Sequence, residues 1–188
     1  MTDWDKLTHL ERSLLLGFLP LLGATAHAGA AVTAILILAI ATLLVRAAAR
    51  VTGSRFDAHT RWAIFAALAF AVAYAITTLA GFVLTVPADV TPWLLATGLT
   101  PLIFCGVSGR MPATVATGHL QRVCVLMLIF AFIREPLGSG TLFGEALWTD
   151  GIIPFGLLGS SAGAFIMLGA VALGEALCAS RKPEENAA

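Results

Sequence analysis

Apolar residues run along this chain in long blocks separated by short polar stretches. About 20 consecutive apolar residues span a bilayer as a helix. On that rule six segments are expected, at roughly 13–26, 29–50, 60–85, 91–108, 114–136 and 153–179. The first, LLLGFLPLLGATAHAG, is short and holds Gly17, Pro20 and Gly23. The fourth, WLLATGLTPLIFCGVSG, is also short and holds Gly98, Pro101 and Gly106. The other four are longer and less broken, although the sixth is glycine-rich.

The order short-long-long therefore occurs twice. LPLLGAT (19–25) and TPLIFCG (100–106) share a Pro-Leu pair at the corresponding places. Interrupted helices at matching positions of two halves mark an internal repeat with a site near the membrane midplane. Non-helical backbone at that depth has to be buried in protein or line a cavity. The plainer alternative is a pair of kinked helices with no site between them.

Composition supports the membrane reading. Of 188 residues, 59% are hydrophobic and 12% are charged, with a mean hydropathy of +0.91. A soluble domain carries about 25% charged residues, so this chain lacks the polar surface to cover a globule. The fold class expected is all-α and membrane-embedded, with six spans arranged as two inverted three-helix repeats whose helices 1 and 4 are short and broken. Formal net charge is zero, and no nucleic-acid partner is expected. Three scattered cysteines, Cys105, Cys124 and Cys178, are not a disulfide framework. The acidic, amphipathic start MTDWDKLTHLERS does not have the pattern of a cleaved signal peptide.

Lys and Arg set the orientation. Arg46, Arg50, Arg55 and Arg61 follow segment 2, and Arg110, with Arg122 beyond, follows segment 4; Lys6 and Arg12 precede segment 1, and Arg181 and Lys182 follow segment 6. The connections at 27–29, 86–91 and 137–152 carry none. Both termini are therefore expected in the cytoplasm. An odd number of spans per half then makes the halves inverted copies. Residues 1–12 are expected to form an amphipathic surface helix with Trp4, Leu7 and Leu10 on one side, residues 13–179 a single membrane domain, and 180–188 a solvated cytoplasmic tail.

The run FIREPLGSGTLF, 132–143, carries the chain's most unusual chemistry. A charge at the helix centre costs about 2.5–3.5 kcal/mol on insertion scales and faces the bundle or a cavity. Arg134 and Glu135 either anchor the membrane interface or lie deeper, paired with polar groups of another segment. Pro136, lacking an N–H, is expected to end the helix. Gly138 and Gly140 permit turns closed to other residues, so a tight, re-entrant loop is expected to follow. Glu175 either reaches the headgroups or joins a proton path. His27 and His119 read as interfacial histidines, with no second ligand at helical spacing beside His27. Gln121 and Arg122 sit near the cytoplasmic start of segment 5. Cys105 falls in the break of segment 4, as a small buried thiol or a metal ligand, whereas Cys124 and Cys178 fall in ordinary apolar helix. Gly159 and Gly163 form a GxxxG, a signal for close helix approach.

Several of these stretches together resemble the six-helix membrane subunits of the Rnf and Nqr redox complexes. REPLGSGTLF is similar to that family's arginine–glutamate motif ending in Gly-x-Gly-Thr-Leu. LLGFLPLLGATAHA (15–28) is similar to its first-helix Cys-Pro-Leu-Leu-Ala-Val-Thr stretch. LTPLIFCGVSGR (99–110) is similar to its Val-Thr-Asn-Cys, then Gly-Arg, stretch in helix 4. SAGAFIMLG (161–169) resembles its Pro-Gly-Ala-Phe-Ile run. The resemblance covers about residues 13–178 and favours the RnfE/NqrD branch.

It implies a subunit of the bacterial inner membrane that pairs with an opposite-topology homologue inside a larger redox complex. Such complexes pass electrons from ferredoxin or NADH and move Na⁺ or H⁺. It also implies two cysteines per subunit, one from each broken helix, on a [2Fe–2S] cluster shared with the partner. In this sequence Leu19 stands at the first cysteine position, and a gapless match puts Leu102 at the second. Cys105, three positions later, is the candidate shifted ligand. Two further readings follow: a cluster-less structural paralogue or scaffold, and an inverted-repeat secondary carrier using His27, Thr25, Thr100 and Cys105.

Overall fold

The computed structural model describes residues 22–52, 56–84, 86–105, 113–147 and 155–180, with backbone alone at 58, 103–105, 113–116, 175–176 and 178–180. The chain is mostly helical. Leu22 and Gly23 are helical and lead into a 3₁₀ turn at Ala24–Ala26, and α1 then runs Ala28–Thr52. α2 spans Ala58–Ala80. A second 3₁₀ turn, Ala88–Val90, leads into α3 at Thr91–Thr97 and α4 at Thr100–Cys105. α5 spans Ala113–Gly138. A short antiparallel hairpin follows, β1 at Thr141–Leu142 and β2 at Glu145–Ala146. The chain ends in α6, Gly156–Gly159, and α7, Ser161–Ser180.

Each predicted segment that falls on described residues has a helical counterpart, with instructive differences. α1 matches segment 2 within two residues of either end. The first segment lies largely outside the described residues, but its break is visible at Ala24–Ala26. The fourth is broken at Gly98–Leu99, just before Pro101. Pro101 has no N–H to give the Thr97 carbonyl four residues back, so the helix restarts with the proline in its first turn, where no donor is needed. The sixth segment, expected to be less interrupted, is also broken: Ser160 is extended (ψ 165°) between α6 and α7.

Pro136 does not stop α5, contrary to expectation; it lies inside the last turn of a helix ending at Gly138. In the last turn a proline forfeits a single bond, to the carbonyl four residues earlier, and Ser139 N still donates to Glu135 O at 3.0 Å. The turn that follows is tight, as expected. Gly140 has φ 73°, and the hairpin tip places Phe143 (φ 53°) and Gly144 (φ 86°) both in the left-handed region. Two central residues with positive φ give the type I′ geometry that matches strand twist in a two-residue loop.

Small residues let the helices approach. Along the buried stripe of α1, Ala30, Ala34, Ile37, Leu38, Ala41 and Val45 recur at three- and four-residue spacing, and this face meets α2, α4 and α5. A Cβ on Gly98 would lie 2.6 Å from the Ala73 Cβ of α2, so the break in the fourth segment is seated directly on that helix.

Several charged and polar side chains are buried with the apolar core, while large apolar ones lie outside. Arg134, Glu135 and His119 are at most 2% exposed, and Thr25, Thr33, Thr97 and Thr100 are buried with them. Phe70, Tyr74, Leu79, Phe132 and Leu173 lie on the outside. Among the described residues two helices are long and apolar enough to cross a membrane: Ala28–Thr52, with hydropathy 2.6, and His59–Ala80, with hydropathy 2.1 and only 17% of its apolar window buried.

Candidate functional site: an arginine–glutamate node at the helix breaks

Arg134 and Glu135 are paired with groups of other segments. They close α5 with exposures of 0% and 1%, and they act on opposite kinds of helix end. Adjacent residues on a helix point about 100° apart, so the two side chains diverge. Arg134 Nε donates to Leu158 O at 2.9 Å, and Nη2 to Ser160 O at 2.8 Å and Gly159 O at 3.5 Å. Its Nη1 donates to Leu22 O at 3.3 Å and to the Thr25 hydroxyl. One planar guanidinium thus fills the open carbonyls at two chain breaks: the one after Leu22–Gly23 and the one at Ser160. These are helix C-terminal ends, where orphan carbonyls and the negative pole of the dipole favour a cation.

Glu135 does the complementary job. Its Oε2 accepts from Ala28 N at 2.6 Å, the first residue of α1, and Oε1 accepts from Gly144 N at 3.0 Å and from Thr141 Oγ1 at 3.3 Å. An anion at a helix N-terminus is favoured by the free N–H groups and the dipole. The same carboxylate holds the hairpin by its tip. A carboxylate serving three donors and a guanidinium serving five acceptors need no ion pair with each other. Bonds to charged groups contribute about 1.5–3 kcal/mol each before sharing is considered.

Glycine makes the node possible. The Gly138 position, expected to serve a turn, serves close approach instead. A Cβ there would sit 2.6 Å from the Gly159 Cα and 3.0 Å from the Leu158 carbonyl carbon, so α5 and α6 meet backbone to backbone. Phe155 N donates to Leu137 O at 2.9 Å across the same seam. Gly23 is covered by the Trp93 ring, which a Cβ would overlap. That contact joins the break of the first segment to the start of the fourth. Of the GxxxG pair, Gly159 meets a neighbouring helix end, while Gly163 faces Leu158 within its own broken segment, where a Cβ would lie 2.6 Å from the Leu158 carbonyl oxygen.

The other sequence-derived candidates are placed as follows. Pro20, Leu19 and Gly106 lie outside the described residues. Cys105 is the last residue of α4, and its side chain is not among those described. Leu102 packs with Ala41, Val45, Phe65 and Ala69. Thr25 belongs to the node, and Thr100 is buried with its hydroxyl unpartnered among the described residues. His27 is half-buried beside the node. His119, read from sequence as interfacial, is 2% exposed, on the α5 face that also carries the buried Val123 and Met127. Cys124 is a free, half-buried thiol. Among the described residues no three His, Cys, Asp or Glu side chains converge.

Sequence reasoning missed the backbone half of the node: the Leu22 and Leu158–Ser160 carbonyls and the Ala28 and Gly144 amides. Its one advance signal is a charge pair adjoining glycines that lie far apart in sequence. Comparison with family models, curated proteins and solved structures finds no match to this chain.

Proposed function

We propose that the chain is an integral membrane subunit of an Rnf/Nqr-type electron-transport complex that couples electron transfer to Na⁺ or H⁺ translocation. The observation that carries this is the node. The arginine–glutamate run is the most specific part of the resemblance, and here both charges are buried and consumed in joining broken segments, as an architectural signature requires. Interruptions at Ala24–Ala26 and Gly98–Leu99 support six spans in two inverted halves. The apolar outer faces of α2 and α7 support lipid as the surrounding solvent. The arginine distribution supports cytoplasmic termini, and the resemblance implies the inner membrane.

The expected [2Fe–2S] cluster does not fit the residues present as a two-cysteine contribution. Leu102 offers no donor atom and is packed in an apolar cluster, and Leu19 offers none either. Cys105 is left as one candidate thiol at the end of α4. No electron-transfer step is therefore assigned to this chain's own side chains. That mismatch favours a second reading, a structural paralogue that keeps the fold and its place in a complex without supplying a full ligand set.

Purification from membranes in mild detergent tests both. Co-purification of an opposite-topology homologue with redox subunits is expected. A chain that purifies alone, folded and monodisperse, would sink the complex assignment. Within an intact complex, a 2Fe–2S electron paramagnetic resonance signal lost in Cys105→Ala supports the shifted ligand; a signal unchanged by that substitution favours the structural paralogue.

A further inference from the structure

The hairpin after α5 has a tip that the node alone does not explain. A type I′ turn favours Asn, Asp or Gly at its first central position, yet this one holds Phe143, at φ 53°. Left-handed backbone is unfavourable for a bulky side chain, and a residue kept there against its preference points to a function. The ring is 44% exposed and meets Phe132 of α5 edge to face, with centroids 6.1 Å apart. From Phe132 to Gly138, where α5 ends, the axis rises about 9 Å at 1.5 Å per residue. The hairpin thus folds back along α5, and the ring at its tip stands at the level of Phe132 instead of beyond the helix end. Phe132 lies on the outer face of α5 with Val125, Leu128, Ile129 and Ile133, all between 37% and 49% exposed. Phe143 adds one aromatic ring to that apolar face.

The polar groups of the hairpin are met from within. Gly144 N, at the tip, donates to Glu135 Oε1 at 3.0 Å, and the Thr141 hydroxyl donates to the same oxygen at 3.3 Å. Leu147 N donates to Gly140 O at 2.9 Å, and the strands pair Thr141 with Ala146 and Leu142 with Glu145. In water a tip amide finds a solvent partner; beside hydrocarbon the protein has to supply one. A buried carboxylate spent on the tip amide is the provision that entry into an apolar phase requires. Glu145, next to the tip and exposed, limits the depth, because a carboxylate is costly at the bilayer centre.

We propose that the hairpin tip seats in the lipid bilayer on the non-cytoplasmic side, with the Phe143 ring among the acyl chains nearest the headgroups and Glu145 at headgroup level. The proposal rests on the membrane reading given above. Lipid is the occupant because the face that Phe143 joins is uncharged from Val123 to Ile133, and because the tip amide already has its partner inside the chain.

Nitroxide depth measurement on the full-length chain in phosphatidylcholine–phosphatidylglycerol nanodiscs tests this. Labels are placed by Phe143→Cys, Ile129→Cys or Glu145→Cys in a background of Cys105→Ala, Cys124→Ala and Cys178→Ala. Power saturation then compares collisions with oxygen, which concentrates in lipid, and with a nickel chelate, which stays in water. Oxygen collisions should dominate at 143, as at 129, and nickel collisions at 145. Nickel-dominated collisions at 143, or a label there shielded from both reagents as in a protein contact, overturn the proposal. Nickel-dominated collisions at 129 defeat the membrane reading itself. Circular dichroism shows whether each variant is folded. Phe143→Trp, in the otherwise unaltered chain, keeps an aromatic ring at the tip as a second probe. Its added emission should be quenched more by phosphatidylcholine brominated near the headgroup than by lipid brominated near the acyl end. No added quenching by either lipid, or stronger quenching by the deeper one, overturns the proposal.

Discussion

Replacing Arg134 by alanine removes the group that fills two helix breaks at once. Five acceptors lose their donor: the carbonyls of Leu22, Leu158, Gly159 and Ser160 and the Thr25 hydroxyl. A buried acceptor left unsatisfied costs about 1–3 kcal/mol. The bonds share one guanidinium and the site relaxes, so summing them overstates the loss. Removing one partner from a buried charged network costs about 3–5 kcal/mol, and that is the expected effect. It is a large share of a domain's ~5–15 kcal/mol. Arg134→Lys keeps the charge but not the fork. Nε and Nη2 serve the Ser160 break while Nη1 serves the Leu22 break, and one ammonium does not span both; a loss of about 1–3 kcal/mol is expected. Arg50→Ala, on the exposed last turn of α1, is the control and should stay within about 0.5 kcal/mol. The assay is equilibrium unfolding in mixed detergent micelles, followed by circular dichroism. An Arg134→Ala chain within about 1 kcal/mol of wild type would falsify the node as the keystone of the fold.

Three further predictions follow from single positions. Gly138→Ala places a methyl group against the Gly159 backbone and should cost about 1–3 kcal/mol, whereas Gly169→Ala, with open space around it, should stabilise α7 by about 0.5–1 kcal/mol; thermal unfolding ranks the two. Gly144→Ala forces a side chain onto φ 86° at the hairpin tip, costing about 1–2 kcal/mol. It should also expose the Glu135-bound hairpin to limited proteolysis, and unchanged cleavage there would refute the hairpin's rigidity. Asp57 caps α2 through Thr60, whose hydroxyl first and backbone amide second hold the carboxyl below its ordinary value of 3.8. Because the folded-state value is the depressed one, the cap's contribution is complete above that ordinary value and fades as pH falls through and below it. Asp57→Asn, which keeps a capping oxygen, should lose this acid dependence in a pH series of unfolding midpoints.

The broad plan was legible because apolar run length and small-residue spacing are local properties. α1 emerges from hydropathy alone, and the break before Pro101 from one missing N–H. What stayed hidden depended on distant partners. Pro136 reads as a helix stop in isolation, but in the last turn its cost is one hydrogen bond, and Gly159 packs the turn from outside. Ser160 gives no local sign of a break, because the carbonyls it frees are satisfied by Arg134, 26 positions away in sequence. The partners of Arg134 and Glu135 were likewise unreadable: most are backbone atoms, which every residue carries and no motif marks. The burial of His119 was hidden too, because it depends on the partners of the α5 face that also carries Val123 and Met127.

The proposed role in redox-driven ion transport is tested most directly in inside-out membrane vesicles from cells with and without this chain. Reductant-driven Na⁺ or H⁺ uptake is followed with NADH or reduced ferredoxin as donor. The expected result is loss of uptake without the chain, recovery with wild type and no recovery with Arg134→Ala. Undiminished uptake in vesicles lacking the chain contradicts its assignment to an electron-driven translocase.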